Sequence, residues 1–240
     1  MKIALLGYGK MGKEVEKAAL KRGHEIVLKI DVANPGDLSP ENLSGADAAI
    51  EFTTPQTAPE NIRACLNAGL PVVVGTTGWY AHFDELAALC RQREGTLFHA
   101  TNFSIGVAIF FHMNRMLAGI MNAHPDYEVS IEEIHHTRKL DAPSGTAITA
   151  AEAILEQILR KEGWENAEKT SGENKLLIKS LREGDVPGTH TVTYRSGIDS
   201  IELKHTAFSR EGFASGAVAA AEWVRDRKGV FTMSDMLRFN

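Results

Sequence analysis

The apolar positions of the first hundred residues fall into short unbroken runs, separated by stretches with helical spacing. The runs at residues 2–6, 24–30, 48–52, 71–74 and 97–100 are rich in branched and aromatic residues, so they predict buried strands. Between them, residues 13–22, 59–68 and 83–94 predict helices, and Gly23, Gly69 and Gly95 stand where a helix stops. Strands alternating with helices through short loops predict a parallel, doubly wound α/β sheet.

After Ser104 the pattern changes. Residues 107–120 form a long apolar stretch that predicts a helix. Residues 127–134 alternate apolar and polar, which predicts a strand delivering His135 and His136 at its end. A helix over 147–161 follows, then a polar stretch at 163–174 that reads as a mobile loop. Strands are expected at 175–182, 188–196 and 199–206, with turns between them, and alternation such as 190–195 suits a sheet with one face against a core or partner. This second unit therefore reads as α+β with a mostly antiparallel or mixed sheet. A helix at 215–227 and a capped turn at 234–237 close the chain, and this last part is expected to return to the first domain.

Composition narrows the function. The 240 residues are 43% hydrophobic and 24% charged, with a formal net charge of −5, which is ordinary for a globular chain. No basic excess points to nucleic acid or an anionic membrane, and no apolar run reaches the ~18 residues of a membrane span. The apolar part of the N-terminus is too short for a signal peptide and runs straight into a glycine motif. Cys65 and Cys90 sit in helix-like patterns and read as buried free thiols. A cytoplasmic protein is the expectation.

Two stretches carry chemistry. The first is Gly7-Tyr8-Gly9-Lys10-Met11-Gly12, between a predicted strand and a predicted helix, with Asp31 about nineteen positions further on. Gly7 suits the tight turn, Gly9 the approach of a pyrophosphate, and Gly12 close packing of helix on strand. The pyrophosphate would meet the free N–H groups of the helix N-terminus. Asp31 suits the ribose hydroxyls and repels a 2′-phosphate, which favours NADH over NADPH; Val32, next in line, offers no arginine for that phosphate. Lys10, Lys13 and Lys29 remain as cations that could compensate. Thr53-Thr54, the loop Gly75-Thr76-Thr77-Gly78 and the loop Thr101-Asn102-Phe103-Ser104 follow strand ends, where open α/β sheets bind ligands.

The second stretch is residues 133–147, which packs His135, His136, Arg138, Lys139, Asp141 and the turn Pro143-Ser144-Gly145-Thr146 into fifteen positions. Histidines exchange protons near neutral pH, and the cations hold carboxylates. Ser144, Gly145 and Thr146 precede an apolar helix and place free N–H groups toward an anion. Arg210 is a further candidate anion binder.

With these residues, the chain resembles the bacterial dihydrodipicolinate reductases, now termed 4-hydroxy-tetrahydrodipicolinate reductases, of the diaminopimelate route to lysine. The resemblance runs nearly end to end. It rests on Gly7–Gly12, Glu51-Phe-Thr, Gly75–Gly78, Asn102-Phe-Ser, residues 133–147, residues 184–190, Lys204-His-Thr with Ser209-Arg210, and residues 231–237. It implies a Rossmann-type dinucleotide-binding domain (1–104 plus 216–240) with an inserted substrate and tetramerisation domain (105–215). It also implies His135 as general acid or base with Lys139 assisting, and His136, Ser144, Gly145, Thr146 and Arg210 holding a cyclic dicarboxylate. Gly7 to Gly12, Asp31, Gly75 to Thr77 and Thr101 to Phe103 would cradle NADH or NADPH, in a homotetramer without a metal. Thr54 stands where many relatives carry arginine and Val32 where some do, which weakens the case for NADPH.

Three rivals come from other readings. A sensor of the nicotinamide redox ratio would need only the first domain. A metal-dependent hydrolase using His135, His136 and Asp141 is ill served by adjacent histidines, whose side chains leave a strand on opposite faces. A different two-domain nicotinamide dehydrogenase, acting on an amino acid such as aspartate, is the closest alternative.

Overall fold

The structure is a computed structural model that describes residues 1–209 and 211–239. In chain order its elements are β1 (Lys2–Leu6), α1 (Lys10–Lys21), β2 (Glu25–Ile30), α2 (Pro40–Leu43), β3 (Ala48–Glu51), α3 (Ala58–Asn67), β4 (Val72–Val74), α4 (Phe83–Gln92) and β5 (Thr96–His99). Then come α5 (Ile105–Met121), β6 (Glu128–His135), α6 (Gly145–Leu155), β7 (Gly163–Asn166), β8 (Lys175–Arg182), β9 (Gly188–Arg195), β10 (Ser200–Ala207), α7 (Glu211–Val224), β11 (Gly229–Phe231) and α8 (Met233–Leu237). The chain divides into two compact units, one of Met1–Ile105 with Glu211–Asn240, the other of Gly106–Arg210.

Unit 1 is the expected doubly wound sheet. Its strand order is β11-β5-β4-β3-β1-β2, and every pairing is parallel. The central strands β3 and β4 are buried at every residue, as a sheet covered on both faces requires. Cys65 and Cys90 are buried free thiols in α3 and α4. In the chain's last segment, α7 is tied to the α1 region by Lys21–Glu211 at 2.9 Å and Arg22–Glu222 at 3.0 Å. Strand β11 then extends the sheet beside β5. Sequence pattern missed β11, because three residues at a sheet edge are too few to show a period.

Unit 2 has a mixed sheet in the order β10-β9-β6-β8-β7. The β10–β9 and β9–β6 pairs are antiparallel, and β6–β8 and β8–β7 are parallel. Val129, Ile131, Leu176, Ile178, Val192 and Tyr194 form a core with Phe110 and Ala118 of α5 and Ala147, Ala150 and Ile154 of α6. The stretch expected to be a mobile loop at 163–174 begins instead with β7. Trp164 packs on the core, and the buried Lys161 ammonium binds the carbonyls of Glu173 at 2.6 Å and Lys175 at 3.1 Å, so both ends of the segment are held. The helix expected to run to 161 stops at Leu155; Ile158 keeps its place in the core, while the chain turns to bring Lys161 to those carbonyls. Among the described residues no helix is long and apolar enough to cross a membrane.

Candidate active site

In unit 1 the strand order reverses between β1 and β3, and the Gly7–Gly12 loop leaves β1 at that switch point. Gly7 has φ +94°, and a Cβ there would lie 2.0 Å from the carbonyl oxygen of Phe52. A Cβ on Gly12, inside the first turn of α1, would lie 2.1 Å from the Gly7 carbonyl oxygen. Both positions demand glycine for packing. Gly9 differs: it caps α1 without a side-chain hydrogen bond, and nothing lies within 4 Å of where its Cβ would be. Space stands open where the α1 N–H groups emerge, which fits the approach of a diphosphate. Helix α1 starts at Lys10 rather than 13, so Lys10 and Met11 belong to that first turn.

Asp31 is half-buried just past β2; its Oδ1 accepts from the Val32 N–H at 2.7 Å, and its own N–H donates to Asn34 Oδ1 at 2.8 Å. Of the nearby cations, Lys29 is paired with Glu16 at 2.7 Å and lies over the Tyr8 ring, 4.4 Å from its centroid. The Tyr8 hydroxyl donates to Glu16 as well.

The remaining loops of unit 1 are braced from within. Thr76 is buried and its hydroxyl accepts from the Thr53 N–H at 2.7 Å, whereas Thr77 and Thr101 are exposed. Asn102 Oδ1 accepts from the Ser104 N–H at 2.8 Å, and the Phe103 ring is core, stacked on Phe98 with centroids 5.8 Å apart. Glu51, buried at the end of β3, accepts from the Thr53 N–H at 3.0 Å, and burial pushes its carboxyl above the usual range.

In unit 2 the strand β6 alternates, with Val129, Ile131, Glu133 and His135 on the buried face. The alternation that builds the core thus carries a carboxylate and an imidazole inward at its end. His135 Nδ1 is hydrogen-bonded to Glu133 Oε2. Glu133 Oε1 accepts from Arg182 Nη1 on β8 at 3.0 Å. Burial works to raise the Glu133 carboxyl, but His135, Ser180 and Arg182 outweigh it and hold it at about 2. His190 of β9 faces Glu133 across the antiparallel ladder, and its ring stands edge-on to His135 with centroids 5.0 Å apart. Burial, then the charge of His135, push His190 down to about 4, so it is neutral.

The ligand atoms of Glu133, His135 and His190 lie within 4.8 Å of one another. The carboxylate is already engaged by an imidazole and a guanidinium, and a divalent cation beside that guanidinium would be repelled.

The sequence-predicted residues of this unit do not all meet. Lys139 is held by both oxygens of Asp141 at 2.8 Å. His136 is half-buried, and among the described residues its Nδ1 has no hydrogen-bond partner. Ser144 is buried as the N-cap of α6: its hydroxyl accepts from the Ala147 N–H at 3.2 Å and is hydrogen-bonded to His190 Nε2 at 3.1 Å. Gly145 and Thr146 open the first turn of α6, whose N–H groups have no intrahelical acceptor. Arg210 lies outside the described residues.

Sequence reading overlooked Arg182 and His190, and it quoted Glu133 without a role. The signal was present for Glu133, two positions before His135 on one strand. Arg182 and His190 become neighbours only through the pairing of β6 with β8 and β9.

A parallel dinucleotide-type sheet in one unit and buried histidines beside a carboxylate in the other fit a nicotinamide-dependent oxidoreductase. The chain belongs to the dihydrodipicolinate reductase family: residues 1–103 match the model described as dihydrodipicolinate reductase, N-terminus, and residues 106–237 the one described as its C-terminus. It is 48% identical over 239 residues to the 4-hydroxy-tetrahydrodipicolinate reductase of Christiangramia forsetii, covering 99% of this chain and 98% of that one. The enzyme of the same name from Natronomonas pharaonis is 35% identical over 240 residues, covering 95% and 96%. Among solved structures, a dipicolinate-bound dihydrodipicolinate reductase from Paenisporosarcina sp. TG-14 matches with a TM-score of 0.81 at 25% identity, covering 98% and 99%. An amine dehydrogenase from Mycobacterium smegmatis shares the fold, with a TM-score of 0.61 at 15% identity over 97% of this chain and 95% of that one.

Proposed function

We propose that this protein reduces 4-hydroxy-tetrahydrodipicolinate to tetrahydrodipicolinate in the diaminopimelate route of lysine biosynthesis. The observation that carries the reading is the buried Glu133–His135 pair, on the sheet of unit 2, in a chain similar over its whole length to reductases of that name. Going from the hydroxylated to the unhydroxylated ring takes a hydride and a proton and releases water. When bound, the reduced nicotinamide supplies the hydride. His135 supplies the proton as general acid. Lys139 assists, exchanging its pairing with Asp141 for a substrate carboxylate. His136, Ser144, Gly145, Thr146 and Arg210 hold the carboxylates, with the free N–H groups of α6 contributing most directly.

The cofactor is held by Gly7, Tyr8, Gly9, Lys10, Met11 and Gly12 around the diphosphate and by Asp31 on the ribose. The loops Gly75-Thr76-Thr77 and Thr101-Asn102-Phe103 face the nicotinamide half. NADH is the preferred form. Asp31 repels a 2′-phosphate, and Lys29, the cation nearest the Tyr8 ring, is already neutralised by Glu16. The chemistry requires no metal.

The protein works in the cytoplasm, where reduced dinucleotides are held, as a homotetramer. Supporting self-association, Ile105, Ile109, Met113, Met116 and Ile120 form an exposed apolar stripe along α5. Light scattering that returned a monomer would contradict the tetramer. A dehydrogenase acting on an amino acid such as aspartate is not favoured, since the full-length relatives bear the reductase name. Oxidation of NADH, followed at 340 nm with the freshly made product of dihydrodipicolinate synthase, tests the activity directly. Turnover with aspartate and none with that product would sink it.

A further inference from the structure

We propose that Glu133, clamped by Arg182, is the positioning residue that fixes a proton on Nδ1 of His135, and that Gly188 keeps the space beside Nε2 clear for substrate. The inference rests on the reading of His135 as the proton donor. An ionised carboxylate only accepts hydrogen bonds. With Glu133 Oε2 against Nδ1, that nitrogen must carry hydrogen, and Nε2 is left as the atom that gains and loses the transferred proton.

Arg182 makes the arrangement rigid. Besides Glu133 Oε1 at 3.0 Å, its guanidinium donates to the carbonyls of Leu181 and Asp141, both at 2.6 Å. One side chain of β8 therefore braces both the Glu133–His135 pair and the loop that carries Lys139. Among the described residues, His190 of β9, edge-on to His135, is hydrogen-bonded to Ser144, and Lys139, further along the loop, is paired with Asp141.

Gly188 opens β9 on the far side of the ring. A Cβ there would stand 3.0 Å from His135 Nε2 and 3.4 Å from Cδ2. Its φ lies outside the left-handed region, so the backbone does not ask for glycine. Room at Nε2 does.

The test uses the full-length enzyme with its reduced cofactor and compares Glu133→Gln, Glu133→Asp, Arg182→Lys, Gly188→Ala and His135→Gln. Glu133→Gln keeps the shape, but its amide can donate as well as accept. We expect kcat to fall on the order of 10–100-fold, with the KM for cofactor unchanged. The alkaline limb of the kcat/KM profile should move to lower pH, and nitrogen-15 NMR should show the neutral His135 shifting from hydrogen on Nδ1 toward hydrogen on Nε2. Glu133→Asp should recover part of each effect. If Glu133→Gln fails to fold, Arg182→Lys is read for the same tautomer and pH changes, since it loosens the clamp and leaves the carboxylate. A folded variant with lower kcat but an unaltered tautomer and pH profile would overturn the positioning role. For Gly188→Ala we expect a raised KM for the dicarboxylate in a variant that still folds; wild-type kinetics would overturn its part. His135→Gln separates this inference from the reading beneath it. If it is inactive while Glu133→Gln is normal, only the positioning role falls; if it is fully active, the proton-donor reading falls as well.

Discussion

In unit 1, what the proposed cofactor would meet is backbone N–H groups and open space: a start of α1 without a side-chain cap, a Gly9 with nothing around its Cβ position, and loops braced by their own threonines and asparagine. In unit 2 they are side chains, an imidazole against a carboxylate against a guanidinium, set on the inner face of a mixed sheet. A site made of backbone tolerates changes in side-chain chemistry but not an added Cβ. A site made of a polar chain tolerates small changes of shape but not the loss of one charge. The division suits the two proposed tasks, since a diphosphate is recognised by donors and room, whereas a proton donor needs its acidity and orientation set by neighbours.

The sharpest break between the two halves is expected from His135→Gln. Turnover should fall about 10³-fold, some 4 kcal/mol in the barrier, while cofactor affinity, measured by fluorescence titration with NADH, stays as in the wild type. Equal losses in both would mean that the halves are not functionally separate.

Gly7→Ala is the counterpart in unit 1. It forces a Cβ onto the Phe52 carbonyl at φ +94°, and should lower unfolding stability by about 3 kcal/mol in urea titrations. Gly9→Ala should leave the melting temperature almost unchanged, because the site is empty around it, yet weaken NADH binding. If Gly9→Ala binds NADH normally, the diphosphate does not approach there.

Stability against pH sharpens the contrast from the side of unit 2. His190 is held at about 4 in the folded protein, against 6.5 for an ordinary histidine. Below 6.5 the unfolded chain takes up a proton that the folded one refuses, so stability falls as pH drops from 6.5 to about 4, by up to about 3 kcal/mol. His99 and His205 are also lowered by burial and act in the same direction. His190→Gln should therefore decline less steeply across that window in denaturant titrations; an identical slope would show that His190 is not the source. Glu133, held down at about 2, acts in a separate window: its contribution is present above 4.5 and is lost as pH falls toward 2.

The two units also differed in how far their sequences could be read. In unit 1 the fold and the glycine loop were legible together, because local signals specify both: unbroken apolar runs for buried strands, and glycines where a Cβ would strike a carbonyl. The departures lay at edges, where β11 is three residues long and α1 begins at Lys10. In unit 2 the strands β6, β8, β9 and β10 were legible from alternation, but β7 was hidden in a polar stretch held by Trp164 and Lys161. The cluster around His135 was only half legible. Glu133 shares its strand and face, so period two alone predicts the contact. Arg182 and His190 lie 47 and 55 positions away in sequence, and only sheet register brings them to it.

The smallest expected effect concerns cofactor choice, for which the proposed reading gives the deciding part in unit 1 to a side chain. Asp31 keeps one oxygen on the Val32 N–H, which turns the carboxylate into a fixed feature at the end of β2. A ribose with free hydroxyls can donate to it, and one bearing a 2′-phosphate meets repulsion. Replacing it in Asp31→Ser should reduce the NADH-over-NADPH ratio of kcat/KM by about tenfold, or ~1.4 kcal/mol, with little change in the KM for the dicarboxylate. Lys29, two residues earlier on β2, would then be an available cation, but its pairing with Glu16 limits the gain for NADPH. Adding Glu16→Gln should release Lys29 and move the ratio further the same way. A wild-type enzyme that prefers NADPH despite Asp31 would show that cations beyond the Tyr8–Glu16–Lys29 cluster decide the matter.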